Sequence, residues 1–543
     1  MKSAKFSKLF ALWRSRVSHG VLTVCLGAVA AQAADWPQWR GPNRNGISTE
    51  TGWLDQWPPS GVWTQQVGMG YSAVSVSTGR VYTMGYKSGR DYVYCFDAVA
   101  GTQGWVYSYS VATNVEFDGP RATPTVDGGR VYTYNHEGRL YCLDAVSGSK
   151  VWNKLVNSGR PTWGFSSSPL IEGNLVIVNA GGAGTAVSKD SPNNVAWTSS
   201  GFARYASPVA FTWNAKRVVA VFSGAGLFGL DPLNGRTNWW FSWSSYYNAA
   251  DPIVHGDKIF VTENGTRYEC AAAQLGTNQL RGVWTNTQMR SECATPILLG
   301  DYLYGFDYGD FLCMDIRDGS VVWSKLNLFN SEGTMIAADG RLIILNRKGE
   351  LLIVKATPAG YDPEGRVPVP IIPDAQNEEW MTAPVLANGK LYCRSHQGTL
   401  VCLQMAGKPS DGDGDGMADT WEQVYLGGTT NDAGTGDRDR DRCPDLYEYV
   451  TGTDPTNAQS GMKLGLTLSS GGVIVSWPTR PVGGIGYDES QSRLYLLESA
   501  TNLTTGQWLP VAGYTNIAGS GGTVAYTNLA GVERWYRVNV RLR

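Results

Sequence analysis

The sequence predicts an all-β chain whose main body is an eight-bladed β-propeller, with seven blades as the alternative, and three recurrences predict it. First, a nine-residue phrase, Asp with Gly four positions on and Trp four further, occurs four times, at Asp97/Gly101/Trp105, Asp144/Gly148/Trp152, Asp231/Gly235/Trp239 and Asp315/Gly319/Trp323. Second, a small residue, Thr or Ser, and Pro lead into apolar alternation at Ala122-Thr123-Pro124, Ala206-Ser207-Pro208 and Ala294-Thr295-Pro296, with Thr382-Ala383-Pro384 as a variant. Third, hairpin turns of the form x-Gly (Glu137-Gly138, Tyr308-Gly309, Lys348-Gly349 and Gln397-Gly398) stand between runs of Tyr, Val, Leu and Ile. A unit that cannot bury its own apolar face must stack on its neighbours, so these periods imply a closed array of four-stranded sheets.

The elements follow in chain order. Residues 1–33 carry Lys2, Lys5, Lys8, Arg14 and Arg16, then an apolar run from Val21 to Ala31, then Ala31-Gln32-Ala33. That pattern is a cleavable export signal, and its apolar run is shorter than the roughly 20 residues needed to span a bilayer. Cys25 follows Val24 where a lipoprotein site wants a small residue, which favours ordinary cleavage after Ala33. No later segment reads as transmembrane. Losing those five positive charges takes the formal net charge from -2 to -7, and no basic footprint for nucleic acid remains.

After an extension over 34–60, the propeller is expected over 61–407. Each part of the nine-residue phrase has a reason: Asp caps its own turn, Gly supplies a positive φ, and Trp opens the next strand and wedges between sheets. Units aligned on Pro or its substitute start near Val74, Pro124, Pro169, Pro208, Pro252, Pro296, Met335 and Pro384, about 40 to 45 residues apart. The third and seventh are degenerate. The last is cut short after Leu403-Gln404-Met405, while an orphan strand, Gly61-Val62-Trp63-Thr64-Gln65, precedes the first unit with Trp in the expected place. This strand is expected to complete the eighth blade and close the ring, which removes exposed edges.

Eight cysteines follow the signal. Cys95, Cys142, Cys313 and Cys402 hold equivalent third-strand places, where a small buried residue is expected. If Gln397-Gly398 is a two-residue turn, Cys393 and Cys402 face each other, and a cross-strand disulfide is one of two readings. His136 and His396 sit at hairpin turns and are expected to be exposed there; with His255 they lack the partners of a metal site or triad.

Residues 408–460 change character. Asp411, Asp413, Asp415, Asp419 and Glu422 fall at positions 1, 3, 5, 9 and 12 of a loop whose sixth residue is Gly416 and whose seventh, Met417, offers its carbonyl. Hard oxygen ligands at that stagger wrap a calcium ion, and five carboxylates so close would repel one another without it. A second loop repeats the spacing with Asp437, Asp439, Asp441, Asp445 and Glu448, with Cys443 at position 7 and Arg442 in the turn place of Gly. Two structural calcium ions are therefore expected, in an EF-hand-like module. The loops resemble dockerin-like or thrombospondin type 3 calcium repeats, which implies either a stiffened joint or a docking element. From 461 to 543, alternating strands with Gly and Ser turns suggest a fibronectin-like or immunoglobulin-like β-sandwich. Trp508 and Trp535 fall in its strand pattern and are expected in its core.

The repeat Leu140-Tyr141-Cys142-Leu143-Asp144-Ala145-Val146-Ser147-Gly148 up to Trp152 resembles the pyrroloquinoline-quinone-like (PQQ-like) propeller repeat, over about residues 61 to 406. Asp35-Trp36-Pro37-Gln38-Trp39-Arg40-Gly41-Pro42 resembles the opening of exported bacterial members. The resemblance admits quinoprotein alcohol dehydrogenases and non-catalytic propellers that help assemble outer-membrane proteins. The dehydrogenases carry adjacent cysteines, and some a Cys-x-x-Cys-His haem site; this sequence has neither. No catalytic residue and no quinone cofactor are therefore expected. The expectation is an exported, periplasmic or extracellular, non-catalytic propeller that engages protein or carbohydrate, with a divergent quinoprotein alcohol or sugar oxidoreductase as the alternative. The surface expected to do so is Trp163, Arg204, Tyr205, Tyr246 and Tyr247; the oligomeric state stays open.

Overall fold

Four-stranded antiparallel sheets follow one another along the chain, each wound from its first strand outward. Eight sheets lie among the described residues of the first unit, opened by Ser75–Ser77, Thr125–Asp127, Leu170–Glu172, Val209–Trp213, Ile253–His255, Ile297–Leu299, Thr334–Ala338 and Val385–Ala387; seven have four strands, and that of Thr334–Ala338 gains a fifth, parallel strand at its edge. The computed structural model describes residues 35–542 except 52, 55–56, 112–116, 158, 200, 244–246, 265–268, 277–278, 370–376, 406–414, 419–420, 423–424, 428–435, 470–471, 483–486, 488–491, 502–506 and 529–534. The chain divides into a unit of Ala34–Ala406 and a unit containing Gly407–Arg543. Within the first, opening strands of successive sheets touch, as between the sheets of Ser75, Thr125, Leu170 and Val209. Ser60–Gln66 pairs with Thr399–Gln404, Trp63 opposite Cys402, so the fourth strand of the eighth sheet comes from the start of the chain.

The Trp and Gly of the repeated phrase meet across sheet boundaries. Trp105 Nε1 donates to Ala145 O at 3.1 Å, Trp197 to Pro232 O at 2.8 Å, Trp284 to Ile316 O at 2.9 Å, and Trp63 to Ala98 O at 3.3 Å across the closing seam. Each indole lies on the Gly of the next sheet's turn. A Cβ on Gly148 would stand 2.5 Å from Trp105, and one on Gly101 2.5 Å from Trp63, while both glycines hold positive φ, 70° and 68°. Backbone conformation and indole contact therefore both demand Gly here.

Within a sheet, the small third-strand residue is spanned by two rings. Tyr82, Cys95 and Trp105 are cross-strand neighbours, as are Tyr132, Cys142 and Trp152, Tyr304, Cys313 and Trp323, and Tyr392, Cys402 and Trp63. The Tyr and Trp rings close over the thiol with centroids 5.9 to 6.1 Å apart. Burial pushes the thiols of Cys142 and Cys313 up to about 11. Of the eight free cysteines among the described residues, Cys293 is the exposed one. A maleimide at pH 8 should thus label Cys293 first, and slowly because burial of the thiol and the charges of Glu332 and Glu292 hold it well above the usual range, while the other seven described cysteines react only on unfolding. Rapid native labelling of Cys142 would contradict this packing.

Two expectations are corrected. The turn after Arg394 is a three-residue loop, with Ser395 N bonded to Thr399 O, Gly398 N to Ser395 O, and Gly398 at φ 104°. Cys393 therefore opposes Val401, and Tyr392 opposes Cys402. A one-residue change of register puts the two thiols on opposite faces, and both are free rather than joined. Of the four x-Gly turns, Tyr308-Gly309 is the two-residue one, joining Asp307 to Asp310. The hairpin histidines are covered as well: His136 is buried, and His396 stacks on Tyr71 with centroids 4.4 Å apart. Hairpin tips lie beneath the segments that lead into neighbouring sheets, as Phe165 N bonding to His136 O illustrates.

The second unit holds a three-stranded sheet of Gly465–Ser469, Gly472–Pro478 and Thr523–Asn528, and a second sheet built on Arg493–Ala500 and Trp535–Leu542. Val475, Trp477, Tyr495, Leu497 and Val538 form their shared core. Trp535, expected inside, is 44% exposed, and Trp508 is half-buried with the Arg537 guanidinium 4.4 Å from its ring centre.

Candidate functional site

The Thr/Ser-Pro pattern builds the inner ring of the propeller. Ala73 N donates to Thr123 Oγ1 at 3.1 Å, Thr123 N to Ser168 Oγ at 2.9 Å, and Ser168 N to Ser207 Oγ at 3.0 Å. Ser207 N then donates to Asp251 Oδ1 at 2.7 Å, and Asp251 N to Thr295 Oγ1 at 2.9 Å. Each hydroxyl accepts the backbone N–H of the preceding sheet, so the pattern links neighbours hand to hand. Asp251 stands in a hydroxyl slot with a second oxygen to spare. That oxygen accepts Trp39 Nε1 at 2.6 Å.

Trp39 belongs to a plug that fills one end of the ring. Trp36 bridges to Val76, Val126 N donates to Pro37 O, and Ile47–Ser48 pairs in parallel with Ala337–Ala338. Arg40 donates to Thr295 O at 3.0 Å and Pro296 O at 3.1 Å. Arg44 reaches Pro208 O at 3.0 Å and also Pro169 O. Ser48 Oγ donates to Leu386 O at 3.3 Å, and Gly389 N donates to Glu50 at 2.8 Å. Residues 36–50 thus contact all eight sheets or the residues that lead into them. Both arginines are buried, at 7% and 6% exposure, with φ of 59° and 53°. Burial pulls each guanidinium down to about 10, and the Asp251 carboxylate opposes that pull. Over the plug lies a cavity of about 40 Å³, lined by Trp36, Trp39, Arg40, Cys293, Thr295 and Met335 among others.

The opposite mouth is made by the segments that precede each first strand. There Trp163 lies 5.4 Å from Tyr247, nearly parallel at 23°, and 5.3 Å from Tyr205, whose hydroxyl accepts Trp163 N–H at 3.4 Å. Phe117, 52% exposed, meets Trp163 edge-on at 6.2 Å. Arg204 stands beside Tyr205 and donates to Ala203 O at 3.0 Å. Arg121 lies over the Tyr71 ring at 5.7 Å, its pKa lowered by burial and raised by the nearby Tyr71 and Tyr205. The structure therefore gathers Trp163, Tyr205 and Tyr247 and adds Phe117; Tyr246 lies outside the described residues.

Across the mouth, Arg347 bridges Glu292 at 3.0 Å, Glu379 at 3.7 Å and Glu332 at 3.8 Å. Glu332 accepts Glu292 N–H and Cys293 N–H, both at 2.9 Å, yet burial pushes its carboxyl up to about 7. The folded protein then holds a proton on Glu332 that the unfolded chain has lost, from roughly pH 4.5 up to 7. Its folded pKa is raised, so this contribution to stability is present at low pH and is lost as pH rises through about 7. The stability of Glu332→Gln relative to the parent should fall by about 3 kcal/mol between pH 8 and pH 5, read by thermal unfolding. A constant difference would exclude a buried, proton-holding Glu332.

In the second unit the two acidic loops take the same sharp turn. Gly416 has φ 99°, and Arg442, in the equivalent place, adopts φ 73° despite its side chain. Ligand atoms of Asp437, Asp439 and Asp441 lie within 4.8 Å of one another. Cys443 N–H, beside the carbonyl at position 7, donates to Asp441 Oδ1 at 2.7 Å, and Arg438 N–H to Asp445 Oδ1 at 3.2 Å. Glu448 is fully buried, and neither of its carboxylate oxygens makes a hydrogen bond of good geometry, with the Thr453 side chain nearby. Its pKa is pushed up to about 8, first by burial and then by the charges of Asp439, Asp441 and Asp445. Three clustered aspartates, with a buried carboxyl under the charges of Asp439, Asp441 and Asp445, offer hard oxygen donors that fit a divalent cation such as calcium. In the first loop Met417 and Glu422 are buried, and Met417 N–H donates to Asp415 at 2.8 Å. Asp411, Asp413 and Asp419 lie outside the described residues.

Sequence reasoning misses Asp251, Arg40 and Arg44. The signal for Asp251 is an acid in a Ser/Thr-Pro slot, Ala250-Asp251-Pro252.

Comparison with known proteins places these sheets. A family model described as outer membrane protein assembly factor BamB (PQQ_2) matches residues 58–159 and 89–325. BamB of Yersinia pestis is 22% identical over 354 residues, covering 64% of this chain and 78% of that protein. BamB of Moranella endobia is 22% identical over 256 residues, and the match spans 64% of its length. Among solved structures, BamB from Moraxella catarrhalis aligns with TM-score 0.49 and 17% identity over 64% of this chain and 97% of that one. Quinohemoprotein alcohol dehydrogenase from Comamonas testosteroni aligns with the same TM-score, 0.49, and 13% identity over 70% and 82%. Over residues 58–325, and in its succession of four-stranded sheets, this chain is similar to PQQ-like repeat proteins.

Proposed function

We propose that this protein is an exported, non-catalytic binding propeller, a closed eight-bladed ring whose open mouth engages a protein or carbohydrate ligand. Calcium loops and a fibronectin-like or immunoglobulin-like sandwich form its second unit. The observation that carries the reading is the plug. The chain's own Arg40, Arg44 and Trp39 fill the space among the segments that lead into the sheets, and the cavity of about 40 Å³ lined by Trp39 and Arg40 has room for water. Small-molecule sites usually need roughly 300 to 1,000 Å³. The exposed chemistry moves to the mouth, where Trp163, Tyr247 and Phe117 offer aromatic surface beside Arg121 and Arg204. Aromatic and Arg side chains dominate the energetics of protein recognition. The role named for the BamB relatives, outer membrane protein assembly, favours a protein ligand and a place in the periplasm.

Pull-down with envelope proteins and a glycan array, run in parallel, would identify the ligand class. Trp163→Ala with Tyr247→Ala should abolish the signal in whichever arm is positive while leaving the fold intact. Strong dye-linked turnover of alcohols or aldoses after reconstitution with quinone and calcium would overturn the proposal in favour of a quinoprotein oxidoreductase.

A further inference from the structure

The helix after the second acidic loop has two ends with different work. Asp445–Thr451 carries the loop's last acids at its start, Asp445 and Glu448, and offers carbonyls at its end. Three side chains from the sandwich take those carbonyls. Tyr487 Oη donates to Tyr449 O at 2.6 Å, Arg493 Nε donates to Val450 O at 2.7 Å, and Arg480 donates to Gly452 O. Tyr487 also stacks on Tyr449, with centroids 4.7 Å apart and planes within 6°. Arg493 is 2% exposed, lies 5.2 Å from the Tyr487 ring centre, and packs against Gly452, which ends the helix at φ 71°. Two cationic side chains at a helix C-terminus suit its dipole, but they can seize the carbonyls only while the last turn is formed.

Glu448 joins the two ends. Its carboxylate feels the charges of Asp439, Asp441 and Asp445, while its backbone carbonyl accepts both Gly452 N–H and Thr453 N–H in the cap the sandwich grips. Without a cation, the buried and poorly satisfied Glu448 carboxylate, under the charges of Asp439, Asp441 and Asp445, opposes the helical turn that places it. With one, the same residue becomes the ligand that fixes the turn. We infer that calcium in the second loop is a latch: binding at Asp437, Asp439, Asp441 and Glu448 sets the helix end that Tyr487, Arg493 and Arg480 hold, and so fixes the sandwich to the loop module. The inference rests on the calcium reading above and extends it from a bound ion to calcium-controlled attachment of the tail.

Hydrogen exchange of the full chain, in EGTA and in calcium, separates the two claims, with calcium binding measured by titration calorimetry on the same samples. At about 100 times the dissociation constant, the amides of Gly452 and Thr453, together with those of residues 479–480 and 493–497, should exchange up to about a hundredfold more slowly. Glu448→Gln should lose the calcium response in both groups. Arg493→Met should still bind calcium and protect Gly452 and Thr453, but lose the response over 479–480 and 493–497. If no calcium binds, the calcium reading fails. If calcium binds and protection stops at residue 453 in the parent, the ion is real and the latch is overturned.

Discussion

Asp251→Ser should destabilise the propeller by about 3–5 kcal/mol, although it installs the type of residue that neighbouring units carry in that slot. The serine hydroxyl can still accept Ser207 N–H, so the ring of sheet-to-sheet bonds survives. What it lacks is the second oxygen that holds Trp39 and the charge that faces Arg40 and Arg44. Both guanidiniums would stay buried with backbone carbonyls and, for Arg44, the Gln38 side-chain oxygen as neutral partners, and an uncompensated buried charge is among the costliest defects a fold can carry. Denaturant unfolding gives the magnitude, and limited proteolysis gives the location: cleavage within 35–50 should accelerate before any within the sheets. A variant as stable as the parent would mean that the plug is held by its backbone contacts alone.

Gly101→Ala should cost about 2–5 kcal/mol and should open the seam between the first and eighth sheets. The added Cβ would meet Trp63 at 2.5 Å, and Trp63 is the residue through which the opening strand docks on the first sheet. Gly79→Ala is the matched control. It has nearly the same φ, 72°, but nothing within 4 Å of its Cβ, so it should lose about 1–2 kcal/mol to backbone strain alone. The excess at Gly101 isolates indole docking from glycine conformation. Equal losses at the two positions would show that the phrase recurs along this chain for its turn and not for the indole it receives. A broader, less cooperative transition for Gly101→Ala would mark the seam as the place where the ring first parts.

The candidate mouth is partly legible in the sequence. Trp163, Tyr205 and Tyr247 stand out there as aromatics just ahead of first strands, and that shared position is why the fold gathers them at one end. Phe117 holds a comparable position, eight residues ahead of Thr125 where Trp163 is seven ahead of Leu170, so its place in the cluster is legible in the same way. The two acidic loops are legible from spacing, since a twelve-residue loop is a local object. Arg442 shows the limit of that reading: its identity argues against the turn, yet the chain takes φ 73° there, held by Asp437 accepting the Arg442 N–H at 2.8 Å.

Sequence by itself determined the succession of four-stranded sheets, where each first strand begins, the small third-strand residues, and the strand at 60–66 that returns to the last sheet. These follow from periodic patterns whose signal is carried by neighbours in the chain. Tertiary structure alone decided the plug, the Asp251 tie to Trp39 across 212 residues, the burial of His136, and the face on which Cys393 and Cys402 each lie. The reason is the same in every case. A repeat pattern fixes what each unit is, but which groups meet across the axis depends on how all the units close together, and one residue of hairpin register reverses the side to which a whole strand presents its side chains.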